Sequence, residues 1–153
     1  PEAYQRSQAI VLMQDMIDRI NANRKNVASY VTGSTPLGTS NTTACSTLTT
    51  IAQKDMCEWS QLLEGASETT GGSKVGAMIG ARGCIEQVQA PDATIGVCRP
   101  GIYRVTIAWQ GLHATKAPAL ACGKDQYGGA ANDAQRRAIA TTITIGLPRC
   151  ASP

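Results

Sequence analysis

Residues 2–31, EAYQRSQAIVLMQDMIDRINANRKNVASYV, decide how the rest of the chain has to be arranged. With Ala9 as origin and a step of about 100° per residue, Ala9, Ile10, Leu12, Met13, Met16, Ile17, Ile20, Val27 and Val31 fall within an arc of about 160°. Such an arc is a packing face, with Ala9, Met13, Met16, Ile17, Ile20 and Val27 at its centre. Gln14, Asp15, Asp18 and Lys25 lie opposite, and Asp15 and Arg19 have the i,i+4 spacing of a helical ion pair. One helix is therefore predicted over 2–31, with Gly33 as its stop. Thirty residues of helix measure roughly 45 Å, whereas a compact domain of this length has a radius of gyration near ~15 Å. The helix is expected to cross the whole body.

The remaining composition limits what that helix can pack against. The chain has 153 residues, enough for one domain, with no Phe, two Trp and four Tyr. Its core must be built from small aliphatic side chains. Charged residues make up 16%, against about 25% in ordinary globular domains, and Thr, Ser, Gly and Ala fill the difference, as in many secreted surface proteins. Fourteen basic and eleven acidic residues leave a net +3. The basic residues are dispersed, with Arg136-Arg137 the only adjacent pair after the first helix. This argues against a nucleic-acid or anionic-membrane binder.

Residues 32–50, TGSTPLGTSNTTACSTLTT, offer almost nothing for a core and read as a surface loop. A shorter helix is predicted over 51–64, with Thr50 and Gln53 in capping-box positions and Gly65 as stop. Ala52, Met56, Trp59 and Leu63 form its apolar stripe. Beyond a Gly-rich link the period changes to two. Tyr103, Val105, Ile107 and Trp109 alternate with polar neighbours, as do Ile139, Thr141, Ile143 and Ile145. Together with a hairpin of 82–89 and 94–99 turning at Pro91-Asp92, these strands predict an antiparallel sheet of about four strands with one face open to the long helix. The 111–137 stretch, GLHATKAPALACGKDQYGGAANDAQRR, is a long loop of the kind that is usually functional or disordered. No internal repeat and no transmembrane segment is present.

The six cysteines, Cys45, Cys57, Cys84, Cys98, Cys122 and Cys150, lack zinc-ligand spacing, and the single His113 has no second histidine to complete a ligand set. Three disulfides in an oxidising compartment are expected, although residues 1–20 carry no export signal. Six cysteines allow fifteen pairings. The presumed hairpin favours Cys84–Cys98, since facing Cα atoms on such a ladder lie within disulfide reach. Cys45–Cys57 would then tie the polar loop to the helix after it, and Cys122–Cys150 would close the last loop onto the tail.

No arrangement suited to catalysis emerges. Ser73 and Lys74 are adjacent, which does not give a Ser-Lys dyad its geometry, and no G-x-S-x-G elbow exists. Gly71, Gly72, Gly76, Gly80 and Gly83 lack the order that phosphate cradling needs. Asp125, Asn132 and Asp133 supply oxygen donors without EF-hand spacing, the pair Asp15 and Asp18 reads as helix surface, and Asn41-Thr42-Thr43 is a glycosylation sequon of little weight.

The order of these features resembles a known family. AYQRSQAIVLMQDMIDRINANR is similar to the region just after the membrane-embedded half of the N-terminal helix in PilV-type minor pilins of type IV pili. DMCEWSQLLEG, YRVTIAWQG, and CGKDQYGG followed by RR, a strand and a terminal RC resemble that family's later motifs in the same order. The departure is at the start, where the prepilin leader and the apolar half-helix with its Glu are missing; they are expected to have been deleted. The resemblance implies an α+β, pilin-like, disulfide-stabilised domain over 1–153. In it, 1–31 is the C-terminal half of the long helix, 32–73 the αβ loop with its short helix, and 74–153 the sheet and C-terminal disulfide loop. It implies a protein that primes pilus assembly at the tip, sometimes presenting an adhesin, with no reaction and no cofactor. Other minor pilins, the major pilin and the inner membrane are the implied partners, and the pilus on the cell surface is the implied destination. Val11 and Ala22, small apolar residues outside the packing arc, are the expected contacts with neighbouring subunits. A type II secretion minor pseudopilin and an extracellular DNA- or glycan-binding module are the alternatives.

Overall fold

Helix α1 covers Glu2–Asn21 and stops well before residue 31. Asparagines make the stop, because their short amides compete with the helical backbone for local hydrogen bonds. Asn21 Oδ1 accepts from Arg24 Nη1 at 2.8 Å, Asn23 Oδ1 accepts from Asn26 Nδ2 at 2.8 Å, and Asn23 Nδ2 donates to the Tyr30 hydroxyl at 3.1 Å. Arg24–Tyr30 continues as a 3-10 helix kinked at Asn26. The expected 2–31 helix is thus two elements, and Gly33 ends neither. The 20 residues of α1 measure about 30 Å, close to the length of the strands beneath it. The computed structural model describes residues 2–33, 35–39, 43–67, 69–70, 73–74 and 78–150, with 69–70 and 73–74 described by their backbone alone.

Helix α2, Ile51–Ala66, starts where its capping pair predicts: Gln53 N donates to Thr50 Oγ1 at 3.1 Å and Thr50 N to Gln53 Oε1 at 3.3 Å. It runs through Gly65 and ends at Ser67, so that glycine is not the stop. A short 3-10 turn, Cys45–Thr47, precedes it. After it, β1 (Thr69–Thr70) and β2 (Ser73–Lys74) form a small two-stranded ribbon.

The main sheet has three antiparallel strands, β3 (Ile79–Gln89), β4 (Gly101–Gln110) and β5 (Arg136–Ile145), with β4 in the centre. The expected fourth strand is absent among the described residues, because 94–99 does not pair with 82–89. Asp92 pairs with Arg99 and Gln89 with Ile102, so the chain reverses at Ile95-Gly96-Val97 instead of Pro91-Asp92. Gly96 takes the positive φ of 89° that this turn needs. Cys84 consequently faces Thr106 of β4, and Cys98 lies far off at the hairpin tip.

That shift of register redirects the disulfides. Cys45–Cys57 forms as expected, but Cys84–Cys98 and Cys122–Cys150 do not; the bonds are Cys84–Cys122 and Cys98–Cys150. Cys84–Cys122 draws the 111–135 loop over the outer face of the sheet, where Cys84, Cys122 and Ala108 make a second, smaller core. Two buried arginines hold the same loop. Arg136 forms an ion pair with Asp133 at 2.8 Å and donates to the carbonyls of Pro118, Leu120 and Cys122. Arg137 donates to the carbonyls of His113, Ala134 and Gln135 and to Glu2 of α1 at 3.0 Å. Gly80, at φ 62°, lets the Tyr127 ring lie against β3, and the Tyr127 hydroxyl donates to its carbonyl at 2.8 Å.

The inner face carries the main core. Tyr103, Val105, Ile107 and Trp109 of β4 meet Ala9, Met16, Ile17 and Ile20 of α1 and Ala52, Trp59 and Leu63 of α2. Both indoles are fully buried and both reach α1: Trp59 Nε1 donates to the Leu12 carbonyl at 2.8 Å and Trp109 Nε1 to Gln5 Oε1 at 3.3 Å. Trp59 also lies flat on β3 at Gly83, where an added Cβ would come within 2.2 Å of its ring. The result is an α+β, pilin-like fold with a three-stranded sheet.

Two outcomes follow from this packing. Gly83→Ala pushes on a ring with no room to move, and is expected to cost about 1–3 kcal/mol in urea unfolding, whereas Gly146→Ala, which meets nothing, leaves the midpoint close to wild type. Peptide mapping without reductant should recover Cys84 joined to Cys122 and Cys98 to Cys150. Replacing Cys84 and Cys122 together by Ala should destabilise the fold by about 4 kcal/mol, from the 38-residue loop that the bond closes.

Candidate functional site

The chemistry-bearing residues are consumed by the fold. Arg19 joins α1 to α2, pairing with Asp15 at 2.6 Å, Glu58 at 2.7 Å and Asp55 at 3.1 Å. Burial works against its charge, but hydrogen bonds to Glu58, Asp15 and Asp55 prevail and raise its pKa. The Tyr30 hydroxyl donates to Asp55 at 2.5 Å, and burial together with that carboxylate pushes it up to about 12. A phenol held protonated to that degree is a fixed donor, unsuited to act as a base at neutral pH.

Asp133, one of the three oxygen donors named from the sequence, accepts from Arg136 and from the Asp125 amide, and the Arg136 hydrogen bond holds its carboxyl below the usual range. Asn132 bonds the Gly128 carbonyl. These residues clip a loop instead of converging on a cation. Asp15 faces Arg19 and Asp18 accepts from Gln14, so that carboxylate pair is also committed. His113 is exposed, and its carbonyl serves Arg137. Among the described residues no group of three His, Cys, Asp or Glu is placed to hold a metal. Asn41 and Thr42 of the sequon lie outside the described residues, as do Gly71, Gly72 and Gly76 and the side chains of Ser73 and Lys74.

The outer face of α1 has no such role in the fold. Of the expected packing face, Ala9, Met16, Ile17, Ile20 and Val27 are buried, Val27 from the 3-10 helix, and Met13 is half-buried against the core. Ile10, at the rim of the arc, is 54% exposed. Val11 is 68% exposed and lies beside Tyr4, also exposed, seven residues earlier on the same stripe of the helix. Tyr4, Ser7, Gln8, Val11 and Leu12 form one wall of an open groove of about 390 Å³, and Ala66 at the end of α2 forms the other. Ala22 is exposed too, one residue past α1, and does not line the groove.

Sequence reasoning identified Val11 and missed its companions. Tyr4 was legible from the seven-residue spacing, but Ala66 was not, because only the antiparallel packing of α2 on α1 brings it there. Among the described residues the groove is lined by apolar and neutral polar side chains, a chemistry suited to protein packing.

Two of the three comparisons with known proteins were negative: no curated protein and no solved structure gave a significant match. Residues 1–64, which contain α1, α2 up to Glu64 and, among the described residues, those lining the groove except Ala66, match the family model described as Tt1218-like, Type IV pilin Tt1218. The match covers the first 64 of 153 residues and is a likeness to a type IV pilin, without separating a PilV-type minor pilin from other pilins.

Proposed function

We propose that this protein is a minor pilin of the PilV type, which primes type IV pilus assembly at the tip by packing against other minor pilins and the major pilin, where pilins of this type sometimes present an adhesin. The observation that supports this reading best is the exposed apolar patch of Tyr4 and Val11 on the first half of α1, with Val11 68% exposed, inside the segment similar to a type IV pilin. A helix that buries one side in its own core and offers a second apolar side to solvent is built for a neighbour. Val11 on α1 and Ala22, one residue past its end, are the proposed contact residues. Among the described residues no helix is long and apolar enough to cross a membrane. On this reading the protein stands in the inner membrane and periplasm before assembly and in the surface pilus after it.

Deleting the gene should reduce surface pili counted by electron microscopy, and the wild-type gene should restore them. Val11→Asp or Ala22→Asp, both at exposed positions and so within about 0.5 kcal/mol of wild-type stability, should restore fewer. Normal piliation in the deletion strain, with no second copy of the gene, overturns the assembly role. Lost protein secretion with intact pili assigns the chain to a type II secretion pseudopilus.

A further inference from the structure

The helices and the 111–135 loop take the two faces of the main sheet, but one of its edges is left. The outer edge of β3 is occupied: Leu37 forms a bridge with Gly83, and the amides of Thr32 and Gly33 donate to the Ile85 carbonyl. The other edge is β5, which runs against β4 over ten residues without a shift of register. Gly111 N donates to the Gln135 carbonyl at 2.7 Å, and this sets the alternation of the ladder. Arg137, Ile139, Thr141, Ile143 and Ile145 bond to β4, while the N–H and C=O groups of Ala138, Ala140 and Thr142 point away from it. The edge is closed at one end by Thr115 N on the Ala134 carbonyl and at the other by Arg24 Nη2 on the Thr144 carbonyl. Between these closures, among the described residues, the outward groups of Ala138, Ala140 and Thr142 make no hydrogen bond, and all three residues keep solvent access. Natural edges of this kind are blunted by a charge, a proline or a bulge. From Ala138 to Ile145 this one has none of them.

The layer above the edge is unfinished as well. Helix α1 lies over β4 and β5, and α2 over β3. Leu12 and Arg19 mark the flank of α1 that meets α2, through Trp59 and through Asp55 and Glu58. Ile10 is turned about 160° from Leu12 around the helix, on the flank above the open edge, and is 54% exposed. Beneath that flank Ile139, Ile143 and Ile145, on the inner face of β5, are only half-buried. Glu2 bonds Arg137 near the start of β5 and Arg24 bonds Thr144 near its end, so helix and strand run in the same direction. Ile10 is about 12 Å along the helix from Glu2, and Ala140 about 10 Å along the strand from Arg137. The exposed isoleucine therefore stands level with the middle of the open edge.

An occupant that completes both layers must bring an extended strand and, directly above it, an apolar helix flank. This chain carries that pair itself, in the same spacing. A two-fold axis beside Ala140, perpendicular to the sheet, sets Ala138 against Thr142 of the second copy and Ala140 against Ala140, each pair exchanging N–H···O bonds. The side chains that meet on the outer face are then Ala and Thr, without bulk or charge. On the inner face Ile139 meets Thr141 of the second copy, and the two Ile10 side chains approach each other above them. The helices follow their strands and are antiparallel, which brings Glu2 of each copy towards Arg24 and Lys25 of the other, opposite charges on opposite dipole ends.

We infer that two copies of this chain pair through the edge of β5, antiparallel about Ala140, into one continuous sheet with both Ile10 side chains at the two-fold axis. The contact is isologous and closes at the dimer. It goes beyond the pilin reading. Val11 lies about 100° from Ile10 around the helix and stays outside the contact, so one chain can use both surfaces.

Sedimentation equilibrium of the whole chain over a rising concentration series, with amide hydrogen exchange on the same samples, tests it. A dimer is expected that grows no further, and the amides of Ala138, Ala140 and Thr142 should exchange more slowly as its population rises. Ala140→Pro removes the central edge N–H, at a kind of position where proline is tolerated, and Ile10→Lys sets two like charges at the axis. Each should weaken dimerisation by at least about tenfold. Ile10→Lys changes an exposed side chain and should leave circular dichroism unchanged, so it decides the outcome if proline disturbs the strand. Ile95→Asp, at an exposed position in the β3–β4 turn, should leave the dimer intact. A chain that stays monomeric at all concentrations overturns the pairing. So do species that grow beyond the dimer, a dimer that withstands either Ala140→Pro or Ile10→Lys, and a dimer whose edge amides exchange as fast as those of the monomer. A monomeric chain whose deletion still removes pili refutes this contact alone; a dimeric chain whose deletion leaves pili intact refutes the pilin role and leaves the contact standing.

Discussion

The packing of Trp59 is the constraint from which the rest of the architecture follows. Its ring lies on Gly83 of β3, its N–H is bonded to the Leu12 carbonyl of α1, and its backbone belongs to α2. One side chain thereby fixes the height of both helices above the sheet. In a chain without Phe the two tryptophans are the largest core groups available, and truncating a buried one typically costs about 3–5 kcal/mol. Trp109 repeats the arrangement farther along α1 through Gln5. The helix is held by its backbone and a neutral amide as well as by its apolar face, which locks its rotation.

Rotation in turn settles which side of α1 is left to solvent. With Ala9, Met16 and Ile20 fully buried, Val11 and Tyr4 have to face outward, and Arg19 has to meet Asp55 and Glu58 of α2. The sheet cannot offer a comparable surface. Its inner face belongs to the helices, and its outer face is closed by the 111–135 loop through Cys84–Cys122, Arg136 and Arg137. The apolar surface that remains lies largely along α1 and at the hairpin tip. The part of it along α1 lies within the first 64 residues, which match the type IV pilin family model.

Buried arginine is an unusual way to order a loop, since a buried charge has to recover its lost hydration. Here each guanidinium is surrounded by carbonyl oxygens of the irregular loop, and each has one carboxylate, Asp133 or Glu2, to balance its charge. The Arg-Arg pair thus does for the loop backbone what a strand partner does for a sheet. The pair was visible in the sequence, but read as a sparse cationic feature its role was hidden, because carbonyl acceptors leave no trace in composition.

The sequence by itself determined what depends on neighbours a few residues away. The apolar face of α1, the Thr50–Gln53 cap of α2, the alternation in β4 and β5, and the Cys45–Cys57 bond across a twelve-residue separation are all set by local periodicity, capping chemistry and short reach. The tertiary structure decided what depends on distant partners. It moved the hairpin reversal to Ile95-Gly96, because the register of β3 on β4 is governed by core packing over ten residues and not by a Pro-Asp pair at one end, whereas the end of α1 at Asn21 is local chemistry of asparagines and Tyr30 that apolar periodicity alone does not register. That single shift carried Cys84 away from Cys98 and reassigned two disulfides, since a side chain in a strand can bond only what the finished sheet brings within a few ångströms of it.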